Sequence, residues 1–142
     1  MLMRQPIEVL ADYLNLARAA GRRRQPLVKD RALLLAGVIA AQIDLAPIAA
    51  ACRDVVLRHN RLHLVGRWPT IGEALEEEDF QTLVSQLSTR YGPERVEQMV
   101  EQLQIEGKID RASFATDGEY AAALLGLSWD DVLRRFGAES DD

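Results

Sequence analysis

The chain has 142 residues, 48% of them hydrophobic, which suits one domain with a sizeable core. Its net charge of −5 conceals +6 over residues 1–71 (11 Lys/Arg against 5 Asp/Glu) and −11 over residues 72–142 (6 against 17), so the two halves differ in what they attract. A single cysteine, Cys52, excludes an internal disulfide and fits a reducing cytoplasm, and Met1 to Leu14 lacks the cationic start and unbroken apolar run of an export signal.

The first helix is expected over about residues 6 to 20, where Ile7, Leu10, Ala11, Leu14 and Ala17 recur at three- and four-residue steps and Gly21 can supply a left-handed stop. After the turn Arg22-Arg23-Arg24, Pro26 opens a second helix whose apolar run, Leu33 to Ile43, predicts a central position. Pro47 suits the first turn of a third helix, which continues through Ala50, Val56 and Leu57 to end near Asn60. The apolar stretch from Ala32 to Ala51 has the length of a membrane span, but Gln42, Asp44 and Pro47 divide it into two buried helices, and no membrane partner is expected.

Beyond the connector Arg61 to Pro69, Thr70 with Glu73 forms a capping-box pattern for a short helix to about Glu77. Phe80, Leu83, Val84, Leu87 and Tyr91 make an amphipathic stripe stopped by Gly92 and Pro93. Pro93 then opens a helix carrying Val96, Met99, Val100 and Leu103, which Gly107 should end, while residues 108–115 are ambiguous. Thr116 with Glu119 and Ser128 with Asp131 mark two more helix starts, divided by a stop at Gly126. Sustained alternation is lacking throughout, so little or no sheet is expected. The acidic tail 138–142 should fray, and a subdivision is conceivable near residues 66–72, where the charge changes sign.

Cys52, His59 and His63 are separated by seven and four residues and would share a helical face if the third helix continued to His63, a spacing that can serve zinc. The helix is read as ending sooner, and no fourth ligand is near in sequence. The expectation is therefore a core cysteine with two histidines at a helix end, and no metal. Cys52 and His59 would lie about 10 Å apart by helical rise, too far for a nucleophile and its base. No catalytic residue and no cofactor are expected. Glu76, Glu77, Glu78 and Asp79 lack the alternation and glycine bend of a calcium loop and read as a solvated turn beside a helix start.

Charge offers the remaining candidates. Arg22, Arg23, Arg24, Arg58, Arg61 and Arg67, with His63 and Trp68, are the expected partner-binding residues, because guanidinium groups grip carboxylates and phosphates while an aromatic supplies contact area. An acidic surface at residues 73–79 or 94–106, in the same chain or another copy, would complement them.

Residues 30–63 resemble a single tetratricopeptide-type helical hairpin, with Gly37 and Ala49 at the small close-packing positions and Asn60-Arg61-Leu62-His63 at its terminal turn. That resemblance implies a hairpin packed in this manner and an association role. Residues 116–136 are similar to the helix-turn-helix of small bacterial DNA-binding domains, with Ala122, Gly126 and Val132 at the positions the turn needs. The resemblance implies that the second helix enters the major groove, where Asp130 and Asp131 would face phosphate.

Together these observations predict an all-α single domain, residues 1–142, of about seven or eight short helices packed as consecutive antiparallel hairpins. The expected role is a non-enzymatic protein-interaction or assembly module that binds a protein partner or pairs as a homodimer. The alternative is a small nucleic-acid-binding regulator with a helix-turn-helix-like hairpin at residues 116–136, using Arg22, Arg23, Arg24, Arg134 and Arg135.

Overall fold

The structure, a computed structural model, describes residues 4–103 and 109–137. These form eight α-helices and no strand among the described residues: α1 Pro6–Arg22, α2 Pro26–Gln42, α3 Ala46–His59, α4 Ile71–Ala74, α5 Glu78–Arg90, α6 Pro93–Gln102, α7 Asp117–Leu124 and α8 Trp129–Phe136. Short 3-10 turns at Leu64–Arg67 and Arg111–Ser113 precede α4 and α7.

Local chemistry accounts for most helix starts. α1, α2, α3 and α6 each carry a proline at the first or second position, where its fixed φ suits the helix and its missing N–H costs nothing. α4, α7 and α8 begin with side-chain caps: Thr70 Oγ1 accepts from the Glu73 N–H at 3.0 Å, Thr116 Oγ1 from Glu119 at 3.1 Å and Ser128 Oγ from Asp131 at 3.1 Å. α5 has no such cap, but Glu78 and Asp79 place negative charge in its first turn.

Two helix ends differ from expectation, those of α1 and α4. α1 runs through Gly21 to Arg22, and Arg24 (φ 57°) takes the left-handed position instead. There the Gln25 N–H donates to the Ala20 carbonyl at 2.9 Å and the Arg24 N–H to Gly21 at 3.3 Å, the paired bonds that close a helix end. Asp44 (φ 63°) plays the same part after α2, with Leu45 N–H donating to Ala40 at 2.8 Å; at Gly126 (φ 76°) glycine does so as expected. α4 stops at Ala74 rather than near Glu77, and the ambiguous stretch contains the 3-10 turn Arg111–Ser113. Gly107 and the tail 138–142 lie outside the described residues.

Antiparallel contacts join consecutive helices, most extensively α1 on α2 and α2 on α3, then α3 on α4 and α7 on α8, whereas α5 and α6 pack mainly on helices remote in sequence rather than on each other. α6 and α7 then return to α1, α4 lies on α2 and α3, α5 touches α2, and α8 packs on α3 and α7. One hydrophobic cluster joins every helix, through Leu14, Leu34, Ile48, Ile71, Phe80, Val96, Leu124 and Val132, with the remaining turns of α1 and α2 around them. α2 is central as expected, but α1 equals it: Leu10 through Ala17 are all buried, because three helices cover it. Burial on every side also traps polar groups. Asp12 pairs with Arg4 at 2.6 Å, the Tyr13 hydroxyl donates to the Tyr91 carbonyl at 2.6 Å, and the Asn15 amide, 1% exposed, finds no hydrogen-bond partner among the described residues. An unsatisfied buried amide costs about 1–3 kcal/mol.

The α2–α3 crossing is tight at Gly37. A Cβ there would meet Ile71 Cδ1 at 2.5 Å and Cys52 Cβ at 3.3 Å, with the Ala49 carbonyl at 3.7 Å. Gly21 is different, since its Cβ would meet only the Lys29 side chain, at 3.5 Å or more. Alanine at Gly37 should lower stability in urea denaturation by on the order of 1 kcal/mol, overpacking outweighing the gain in helix propensity. Alanine at Gly21 should raise it by about 0.5–1 kcal/mol.

Candidate functional site

Antiparallel packing of α2 on α3 sets the start of one beside the end of the other, and the contact is visible at His59, whose Nδ1 lies 3.3 Å from Asp30 Oδ1. Arg22 ends α1, Arg23 and Arg24 form the turn leading into α2, and Arg58, Arg61 and His63 lie at or just beyond the end of α3. Six of the eight residues singled out in the sequence therefore share one end of the helical stack. Arg67 and Trp68 are directed elsewhere. Arg67 pairs with the exposed Asp79 at 3.4 Å, and Trp68 meets Phe80 edge-on at 5.7 Å between ring centroids, while its carbonyl accepts from Arg53 Nη2 at 2.8 Å.

Charge at this end is poorly compensated. Arg58 Nε is 3.0 Å from Asp54 Oδ2 within α3, and Arg135 of α8 approaches the same oxygen at 3.6 Å, so two guanidinium groups share one carboxylate. Arg22, Arg23, Arg24 and Arg61 are exposed and form no ion pair among the described residues. Elsewhere arginines do meet acids: Arg4 reaches Asp12 and Glu97, Arg111 meets Asp117 at 2.7 Å, and Arg134 meets Asp131. Among the described residues the expected encounter with residues 73–79 thus occurs at Arg67 alone, and Arg4 rather than the arginine turns reaches Glu97.

Two leucines complete this end and were not anticipated from the sequence. Leu62 is 94% exposed in the turn after α3, and Leu27 is 66% exposed in the first turn of α2. Their signal was faint: each is an apolar residue next to polar or proline neighbours, outside any periodic stripe. Isolated exposed leucines are ordinary, but two beside unpaired arginines combine the apolar and cationic contacts that dominate protein interfaces.

The cysteine and His63 occupy packing and capping positions. Cys52 is fully buried at the α2–α3 crossing, and burial pushes its thiol up to about 12, so thiolate is withheld at neutral pH. His63 caps the turn Leu64–Arg67, its Nδ1 accepting from the Val65 N–H at 3.0 Å, which places its proton on Nε2. Among the described residues no three His, Cys, Asp or Glu side chains converge as a metal site. No described helix is long and apolar enough to cross a membrane.

No family model matches the chain, and neither a curated protein nor a solved structure matches it.

Burial lowers the His63 pKa below its ordinary 6.5, against a smaller opposing effect of Asp30. Its folded pKa lies below the unfolded value, so the unfolded chain binds more protons in the interval between them. The contribution of His63 is full above about pH 6.5 and declines as pH falls toward the folded pKa. His63→Asn keeps an acceptor for Val65, and melting curves from pH 7.5 to 5.5 should show a shallower loss of stability than in the parent chain; equal slopes would remove His63 as the cause.

Proposed function

We propose that the chain is a non-enzymatic protein-interaction module that presents the end built from Arg22, Arg23, Arg24, Leu27, Arg58, Arg61 and Leu62 to an acidic protein surface. The observation carrying this reading is the arginine turn 22–24 with Arg61, which no acid of the described chain neutralises despite the surplus of carboxylates in the second half. Like charges held together repel over about 8–10 Å at moderate salt, so an arrangement of this kind is favoured by an external anion. A protein partner supplies both carboxylates and apolar surface for the two leucines. A second copy of the chain meets the same requirement with its own acidic half, which makes a homodimer one form of the proposal.

The nucleic-acid alternative has less support. α7 and α8 are two capped helices joined at Gly126, as the resemblance to a helix-turn-helix implies, but the exposed Asp130 in the first turn of α8 would meet phosphate with like charge. α8 also buries Val132 against the rest of the chain and packs on α3, which leaves few side chains for base edges.

Replacing Arg22, Arg23 and Arg24 together with alanine should weaken association by about tenfold or more while leaving the helical circular-dichroism signal unchanged. The check is light-scattering mass and the 260/280 absorbance ratio across a salt series, with affinity for a glutamate-rich peptide measured alongside. Unchanged mass and unchanged peptide affinity would sink the proposal, and retention of nucleic acid that falls steeply with salt would favour the alternative.

A further inference from the structure

Beside the cationic end, two cavities open along the line where α1, α2 and α3 meet the α7–α8 turn. The larger, ≈ 160 Å³, is lined by the apolar Leu14, Leu33, Val55 and Leu124 and by Arg18 and Lys29. The smaller, ≈ 70 Å³, is flanked by Leu127, Arg58 and Arg135. Val55 and Leu125 line both, so the two make one interrupted groove. Asp54 is the carboxylate lining it and is already engaged by Arg58 and Arg135.

Arg18 is the distinguishing feature. Its Nη1 is buried and has no hydrogen-bond acceptor among the described residues, although the side chain lines the larger cavity. A buried guanidinium N–H without an acceptor is unfavourable. Nη1 is closed off where it lies, so a carboxylate in the cavity reaches it once the flexible Arg18 side chain turns outward, and the bond then formed is charge-assisted. From this the geometry points to an occupant: an acidic amphipathic helical segment of the partner protein, one apolar side chain in each cavity and its carboxylates on Arg18, Lys29, Arg58 and Arg135.

Size and charge favour a peptide over a free small ligand. Small-molecule sites run to about 300–1,000 Å³, and each cavity here is smaller, on the scale of a side chain. The cations also continue past the larger cavity, whose wall includes Gly21, onto Arg22, Arg23 and Arg24, which extends the attraction along a segment rather than around one carboxylate. Helix-in-groove recognition uses apolar anchors at i, i+3, i+4 and i+7, the spacing that lets one face enter successive hollows. The inference rests on the interaction-module reading above and names the chemistry of its partner.

The test uses the full chain and a labelled peptide of about 15 residues, long enough for helix, with leucine at i, i+3, i+4 and i+7 and glutamate elsewhere. Fluorescence anisotropy should show binding that falls about tenfold or more with Arg18→Met, and likewise with Val55→Glu, which sets a carboxylate in the shared wall. Arg18→Met keeps the aliphatic stem, so it stands if Val55→Glu fails its melting control. A peptide with serine for leucine should bind correspondingly more weakly, and octanoate should not displace the parent peptide. Binding that ignores both substitutions overturns the groove, while a loss on replacing Arg22, Arg23 and Arg24 in the same assay leaves the interaction module standing. Octanoate binding that depends on Arg18, with the peptide silent, overturns the groove as a peptide site. No peptide binding by any variant ends both readings.

Discussion

Close approach of α2 and α3 at Gly37 is the constraint from which the rest of the arrangement follows. A hydrogen in place of a methyl lets Ile71, Cys52 and the Ala49 backbone come within contact distance of one point on α2. That contact seats α4 against the hairpin and leaves Cys52 no exposure at all. It also sets the register in which His59 reaches Asp30. Because α2 follows the arginines at 22–24 and α3 ends among those at 58–61, holding these helices antiparallel assembles two remote stretches of sequence at one end.

Electrostatics then divides the molecule. Where acids and arginines face one another the pairs are mostly exposed and worth about 0–1 kcal/mol each, too little to specify a fold. The hydrophobic cluster that every helix enters supplies the stabilising force, and the charges are free to serve another purpose. At the end formed by the α1–α2 and post-α3 turns, Arg22, Arg23, Arg24 and Arg61 have no acidic partner among the described residues, and the groove alongside contains a guanidinium nitrogen in the same condition. Both features incur a free-energy cost in the isolated chain that an acidic occupant would offset.

Much of the fold was legible because its signals are local. Pro26, Pro47 and Pro93 open helices where a fixed φ predicts they should, and Thr70, Thr116 and Ser128 cap as their spacing to Glu73, Glu119 and Asp131 requires. Gly21 misled because glycine is the usual left-handed residue, whereas Arg24 accepts a conformation costing about 1–2 kcal/mol with two helix-closing bonds in return. The burial of α1 on all sides was illegible, since α6 and α7 return to it from more than seventy residues away. Of the candidate site, the arginine turns were readable as composition. Their convergence, the exposure of Leu27 and Leu62, and the arrival of Arg135 beside Arg58 depend on tertiary packing that no local pattern encodes.

The shared placement of the two arginine turns can be measured directly with a spin label at Leu62→Cys, a site exposed enough to carry it, while buried Cys52 stays unlabelled. α3 spans about 20 Å from Ala46 to His59, so the two ends of the hairpin are well separated. Backbone resonances of Arg22 to Asp30 should broaden strongly and those of Ala46 to Ala50 should stay sharp. Sharp signals at Arg22 to Asp30, or broadening centred on Ala46 to Ala50, would contradict the placement on which the cationic end depends.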